Sequence, residues 1–177
     1  MNKKIFILIG IFWLVIILGF IAIKEFTLQS GKEVILKTQP VDPRDLFRGD
    51  YVVLRYEISR LDMASLQSDG VFSIDDKVYV ALDIVDGYAV AEGLYKGQPK
   101  QGLFIKGTVR QINANTASVE YGIESYFVPE GRGYEIERAR GKLEVKVAID
   151  RYGNSLIKNI LIDGKEFTFD RDLGIKS

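Results

Sequence analysis

Ten residues, Asp42-Pro-Arg-Asp-Leu-Phe-Arg-Gly-Asp-Tyr51, hold three acids and two arginines on backbone stiffened by proline, with Pro40 lying just upstream and Pro43 and Gly49 within. Arg44 and Arg48 offer planar, bidentate donors suited to a carboxylate or a phosphate. Asp45 and Asp50 can accept from backbone amides or pair with those arginines, which alone would make the segment a rigid turn. Gly49 is free to take the positive φ such a turn needs. Two readings therefore stand side by side, a structural turn and a preorganised polar rim at the start of a strand.

A second polar block follows in YFVPEGRGYEIER, residues 126–138. Glu130 lies on a Pro-Glu-Gly-Arg-Gly turn, and Glu135 and Arg138 are three apart, on one face if a helix forms there. We expect the two blocks to meet, so that Arg44 and Arg48 face Glu130, Glu135 and Glu137. The expected binding residues are Arg44, Asp45, Arg48, Asp50, Tyr51, Glu130, Glu135 and Arg138. No catalytic residue is assigned. A carboxylate-dependent hydrolase of the envelope is an alternative, with Asp50 and Glu130 as its paired acids, and a purely structural envelope role is another.

Composition narrows the chemistry. The 177 residues contain no His and no Cys, so zinc, haem and thiol chemistry lose their usual ligands. No metal and no cofactor are expected. Asp75-Asp76 and Asp170-Arg-Asp172 follow no recognised calcium-loop spacing and read as solvated charge. Arg48-Gly-Asp50 spells an adhesion tripeptide, but the turn accounts for it. Bases and acids balance at 24 each, no basic stripe stands out, and nucleic acid is not an expected partner.

The elements that must position these residues begin with Ile5–Ile23, nineteen residues without charge or proline. As a helix this run reaches roughly 28 Å, close to the bilayer hydrocarbon thickness of about 30 Å. Lys3 and Lys4 precede it, while Lys24 and Glu25 nearly cancel after it, so the N-terminus is expected inside and residues 24–177 outside. A cleaved signal peptide is the competing reading, but its apolar region is shorter, about 7 to 15 residues, and ends in a small-residue site that GFIAIKEF lacks. The expected domains are a cytoplasmic stub and signal anchor over 1–23, a polar tether over 24–33 and an extracytoplasmic domain over 34–177.

Beyond the tether the pattern is one of strands and turns. YVVLRY alternates, placing Val52, Leu54 and Tyr56 on one face as core and Tyr51, Val53 and Arg55 on the other. Asp86-Gly87 lies between alternating apolar arms, the strongest short hairpin signal. Asn113-Ala114-Asn115 joins two further arms, and DRYGN and Asp163-Gly164 mark a closing meander. Short helices are expected over 59–68 and 135–140. The fold class is mainly β: an N-terminal transmembrane helix, then a sandwich or barrel-like domain with at most one or two short helices.

Gly49-Asp-Tyr-Val-Val-Leu-Arg-Tyr56 resembles, letter for letter, the signature of the bacterial GDYXXLXY family, and Asp42-Pro-Arg-Asp45 with Tyr126–Gly131 strengthens the resemblance. It implies a single-span protein with an extracytoplasmic domain, encoded beside a polytopic membrane protein. It names no activity. The function expected is therefore an accessory or binding domain on the bacterial cytoplasmic membrane, more a binding module than an enzyme. The expected partners are the lipid bilayer, through residues 5–23, and a polytopic membrane protein.

Overall fold

The computed structural model describes residues 3–39, 51–128 and 143–167. Helix α1 spans Lys3–Ser30. Its apolar part leaves its side chains uncovered, and among the described residues it is the one helix long and apolar enough to cross a membrane.

A polar tether was expected over 24–33; instead α1 continues to Ser30 and strand β1, Lys32–Lys37, begins two residues later. The helix end is held by tertiary contact. Thr27 is 2% exposed, and its hydroxyl donates to Asp150 Oδ2 at 3.2 Å. Local bonds assist: Gln29 Nε2 donates to Glu25 Oε1 at 2.6 Å, one turn back on the helix surface. The helix closes where the Gly31 amide donates to the Thr27 carbonyl at 3.0 Å. A Cβ at Gly31 would fall inside contact distance of that carbonyl and 3.1 Å from both backbone N and O of Ile149. Only a glycine lets helix and sheet approach this closely.

The remaining strands are β2 (Tyr51–Val53), β3 (Arg60–Asp62), β4 (Gln67–Ser68), β5 (Lys77–Val85), β6 (Tyr88–Tyr95), β7 (Leu103–Asn113), β8 (Thr116–Glu120), β9 (Ser125–Phe127), β10 (Leu143–Ile149), β11 (Ser155–Ile162) and β12 (Lys165–Phe167). The main sheet runs β12-β11-β10-β1-β6-β5-β7-β8-β3, with β4 added beside β6. Most neighbours are antiparallel, while β1 and β4 each lie parallel to β6. The sheet curls until its two halves touch: the Lys106 amide on β7 donates to the Gly153 carbonyl in the β10–β11 turn at 2.8 Å. Register shifts in β5–β6, β7–β8 and β10–β11 supply the irregularities that bend strands. The result is mainly β, a multi-stranded sheet behind one N-terminal apolar helix, as the alternating pattern predicted.

The turns follow their residues. Asp86 (φ 52°) and Gly87 (φ 86°) form the two-residue turn of the β5–β6 hairpin, and Asp163 (φ 53°) with Gly164 (φ 75°) repeats it between β11 and β12. The β7–β8 hairpin closes through Ala114-Asn115, with Asn113 opposite Thr116. The core is the inner face of these strands, including Val34 and Leu36 of β1, Val78 and Val80 of β5, and Val145 and Val147 of β10. Truncating one such fully buried leucine, Leu36, to alanine costs about 2–5 kcal/mol.

The short helix expected over 59–68 is replaced by a 3₁₀ turn at Glu57–Ser59, then β3 and β4. Leu61 is buried against β8, opposite Ala117. Asp62 then turns the chain, its side chain accepting the Ala64 amide at 3.0 Å and its carbonyl the Ser65 amide at 3.2 Å. Such an Asp competes with helix continuation. The helix expected over 135–140 lies outside the described residues.

Candidate functional site

Tyr51, Val52 and Val53 form β2 and pair antiparallel with Phe127, Tyr126 and Ser125 of β9. This two-stranded ribbon joins the strands of the two polar blocks. Residues opposite one another share a side of such a ribbon. Val52 with Tyr126 faces the core, and Tyr51 with Phe127 faces outward, Phe127 being 75% exposed.

The core face of YVVLRY is as the alternation predicts: Val52, Leu54 and Tyr56 are 0%, 1% and 0% exposed. Beyond the ribbon the Leu54 amide donates to the Glu124 carbonyl at 2.7 Å. Tyr56 bridges to Thr38, and the Gln39 amide donates to the Arg55 carbonyl at 2.7 Å. One segment is thus seamed on one side to the end of β1 and on the other to residues 121–127.

Two buried tyrosines lock this seam. The Tyr56 hydroxyl donates to the Ile123 carbonyl at 2.5 Å, and the Tyr121 hydroxyl donates to the Ile58 carbonyl at 2.5 Å. Burial first, and the nearby Glu124 charge second, push both hydroxyls well above the ordinary tyrosine range. They stay protonated and remain donors. Glu124 itself accepts the Tyr121 and Gly122 amides at 2.6 and 2.8 Å, a bidentate cap on a turn in which Gly122 takes φ 79°.

Of the eight expected site residues, Tyr51 is described: it is half-buried in β2. Arg44, Asp45, Arg48, Asp50, Glu130, Glu135 and Arg138 lie outside the described residues, as does Glu137. The residues that carry both stretches are described, and they lie close together. At one end Tyr51 and Phe127 are paired. At the other, the Thr38 hydroxyl donates to the Leu143 carbonyl at 2.6 Å.

Beneath the seam opens a cleft of about 410 Å³, lined by Leu54, Arg55, Ser59, Arg60, Glu120 and Glu124 among others. Arg110, also in its wall, pairs with Glu120 and with Asp75 at 3.0 Å. Among the described residues Arg55 and Arg60 have no ion-pair partner. Two exposed guanidiniums beside a cleft suit an anionic group. The sequence pointed to Arg55 only as an outward residue of a strand and did not point to Arg60. The cleft brings them together through β8 and the turn at 57–59, a juxtaposition without a local signal.

The family model described as GDYXXLXY protein matches residues 13–160. The chain belongs to the GDYXXLXY protein family. No curated protein and no solved structure matches the chain. In this GDYXXLXY protein the signature residues Val52, Leu54 and Tyr56 build the core, and the signature strand is the element that holds β1 to the segment 121–127. The naming motif is, over its described residues, a structural seam whose outer face carries Tyr51, Val53 and Arg55.

Proposed function

We propose that this GDYXXLXY protein is a membrane-anchored accessory domain that docks on a polytopic membrane protein outside the bacterial cytoplasmic membrane. The observation that carries the reading is the uncovered apolar length of α1, where side chains from Ile5 to Ile21 stand free of the domain. Lipid burial of that surface is the favourable outcome, each fully transferred large apolar side chain contributing about 1.5–3 kcal/mol. Lys3 and Lys4 at its start favour an inside N-terminus.

The contacts of Thr27 with Asp150 and of Gly31 with the Ile149 backbone, at the end of a helix that runs to Ser30, support recognition at a set height above the bilayer. Anchoring partner and domain in one membrane raises their effective concentration, so a modest surface suffices. The docking surface of this reading is the outer side of the β2–β9 ribbon, Tyr51 and Phe127, together with Arg44, Asp45, Arg48, Asp50, Glu130, Glu135 and Arg138 on the stretches that join the fold beside it.

A photo-crosslinking residue at Phe127, in native membranes, tests this. Capture of one polytopic membrane protein, reduced by Arg48→Ala, is the expected outcome. Capture of no membrane protein from cells in which the chain is folded and integrated overturns the docking reading. Because the chain has no native Cys, a single cysteine at exposed Ser125 reports sidedness with a membrane-impermeant reagent, and labelling only after lysis overturns the outside placement.

A further inference from the structure

Where α1 meets the curled sheet lies a second cleft, also of about 410 Å³. Lys24 of α1, Lys77 of β5, and Lys106 and Arg110 of β7 line it, and Glu120 is the one acid among the described residues of its wall. Arg110 is neutralised by Glu120 and by Asp75. Lys24, Lys77 and Lys106 are not: among the described residues none of them has an ion-pair partner. Lys77 Nζ donates to Thr108 Oγ1 at 2.8 Å, which orients the ammonium and leaves it two further protons. Three uncompensated ammonium groups from three elements thus converge on one concavity, with the Gly107 and Gly122 backbone in its floor and rim.

Its position adds a second, independent argument. Lys24 is the first residue after the apolar run Ile5–Ile23. The headgroup layer adds about 5–7 Å to each side of the hydrocarbon, and Thr27, where the domain grips the helix, is about 4.5 Å further along the axis. With α1 in the bilayer, the cleft opens at headgroup depth. Arg151 stacks 4.7 Å from the exposed Tyr152 ring in the turn that contacts α1, a pair whose apolar bodies and polar tips suit an interface.

We infer that this cleft binds a phosphate group, presented to it as the phosphodiester of an anionic lipid headgroup. Lysines serve as point-charge phosphate ligands, and a basic pocket beside a span is where such headgroups are held. The headgroup source rests on the anchor reading above; the phosphate site does not.

The test uses the full-length chain in neutral detergent, offered phosphatidylglycerol, phosphatidylcholine or inorganic phosphate. Lipid retention is read by native mass spectrometry and phosphate binding by calorimetry. Lys24→Gln/Lys106→Gln is compared with wild type and with Lys158→Gln, which removes a lysine paired instead with Glu33. Lys24 and Lys106 are exposed, and thermal unfolding checks that the double variant folds; Lys106→Gln alone provides a milder second variant. Retention of phosphatidylglycerol about tenfold over phosphatidylcholine, lost in the double variant and kept in Lys158→Gln, is expected. Phosphate binding without lipid preference, lost in the same variant, supports the site and assigns it a soluble ligand. Equal retention of both lipids with no phosphate binding, or wild-type binding by the double variant, overturns it. Alkaline extraction of native membranes is read separately: a released chain sinks the anchor reading and leaves the phosphate result standing.

Discussion

Tyr56 and Ile123 are joined by a buried hydrogen bond, the phenol donating to the Ile123 carbonyl at 2.5 Å across sixty-seven positions of sequence. Tyr121, two residues before that carbonyl, returns a bond to Ile58, two residues after Tyr56. The last residue of the family signature therefore takes part in a reciprocal lock between two segments that local sequence does not connect.

Tyr56→Phe removes one donor and leaves a buried carbonyl unpaired, at a cost of about 1–3 kcal/mol. Tyr121→Phe is expected to cost a similar amount. Because both bonds hold the same seam, the double variant should lose less than the sum of the two single losses. Denaturant unfolding of the detergent-solubilised chain reads all three, and strict additivity would show the two bonds to be independent.

Gly31→Ala places a methyl group against the Thr27 carbonyl and the Ile149 backbone. The neighbours are main chain and do not yield cheaply, so a loss of about 1–3 kcal/mol is expected. Gly10→Ala, where nothing lies within 4 Å of the added carbon, is the control. A thermal midpoint unchanged by Gly31→Ala would mean that helix and sheet are not packed this closely.

Asp150 makes the helix–domain junction sensitive to acid. Burial raises its carboxyl, but the Asn154 side chain, the Tyr152 and Asn154 amides and the Thr27 hydroxyl outweigh that, and the balance is a lowered pKa. A depressed folded value means that the stabilisation is present above the unfolded value of about 3.9 and is lost as pH falls through the folded one. Asp150→Asn should therefore be less stable than wild type at pH 7, and the difference should shrink below about pH 4. Urea midpoints at the two pH values check this, and a gap that persists in acid would mean that the charge is not what Thr27 and Asn154 recognise.

Arg48 precedes Tyr51 by three residues and Glu130 follows Phe127 by three in the sequence, and Tyr51 and Phe127 are paired. A double-mutant cycle of Arg48→Ala and Glu130→Ala is expected to give a coupling of about 0.5–3 kcal/mol in stability or in partner capture. Zero coupling in both readouts would separate the two blocks.

Whatever depends on neighbours along the chain is legible in the residues themselves. Nineteen uncharged residues from Ile5 to Ile23 dictate an apolar helix because nothing interrupts their backbone bonding or wets their surface. Asp86-Gly87 and Asp163-Gly164 dictate tight hairpins because they accept positive φ at low cost. The period-two alternation of Val52, Leu54 and Tyr56 sets a core face before any partner is known. Tertiary structure alone decided the rest. Residues 24–30 look like a polar tether until Thr27 is buried and Asp150 accepts its hydroxyl. Leu61 belongs to a strand only because Ala117 lies opposite it. The β2–β9 pairing and the Lys24–Lys77–Lys106 cleft join residues tens of positions apart, and a further cleft sets Arg55 and Arg60 against the distant Arg110 and Glu120. Such contacts arise when distant strands pair and a sheet curls, and no local propensity encodes which strand will arrive.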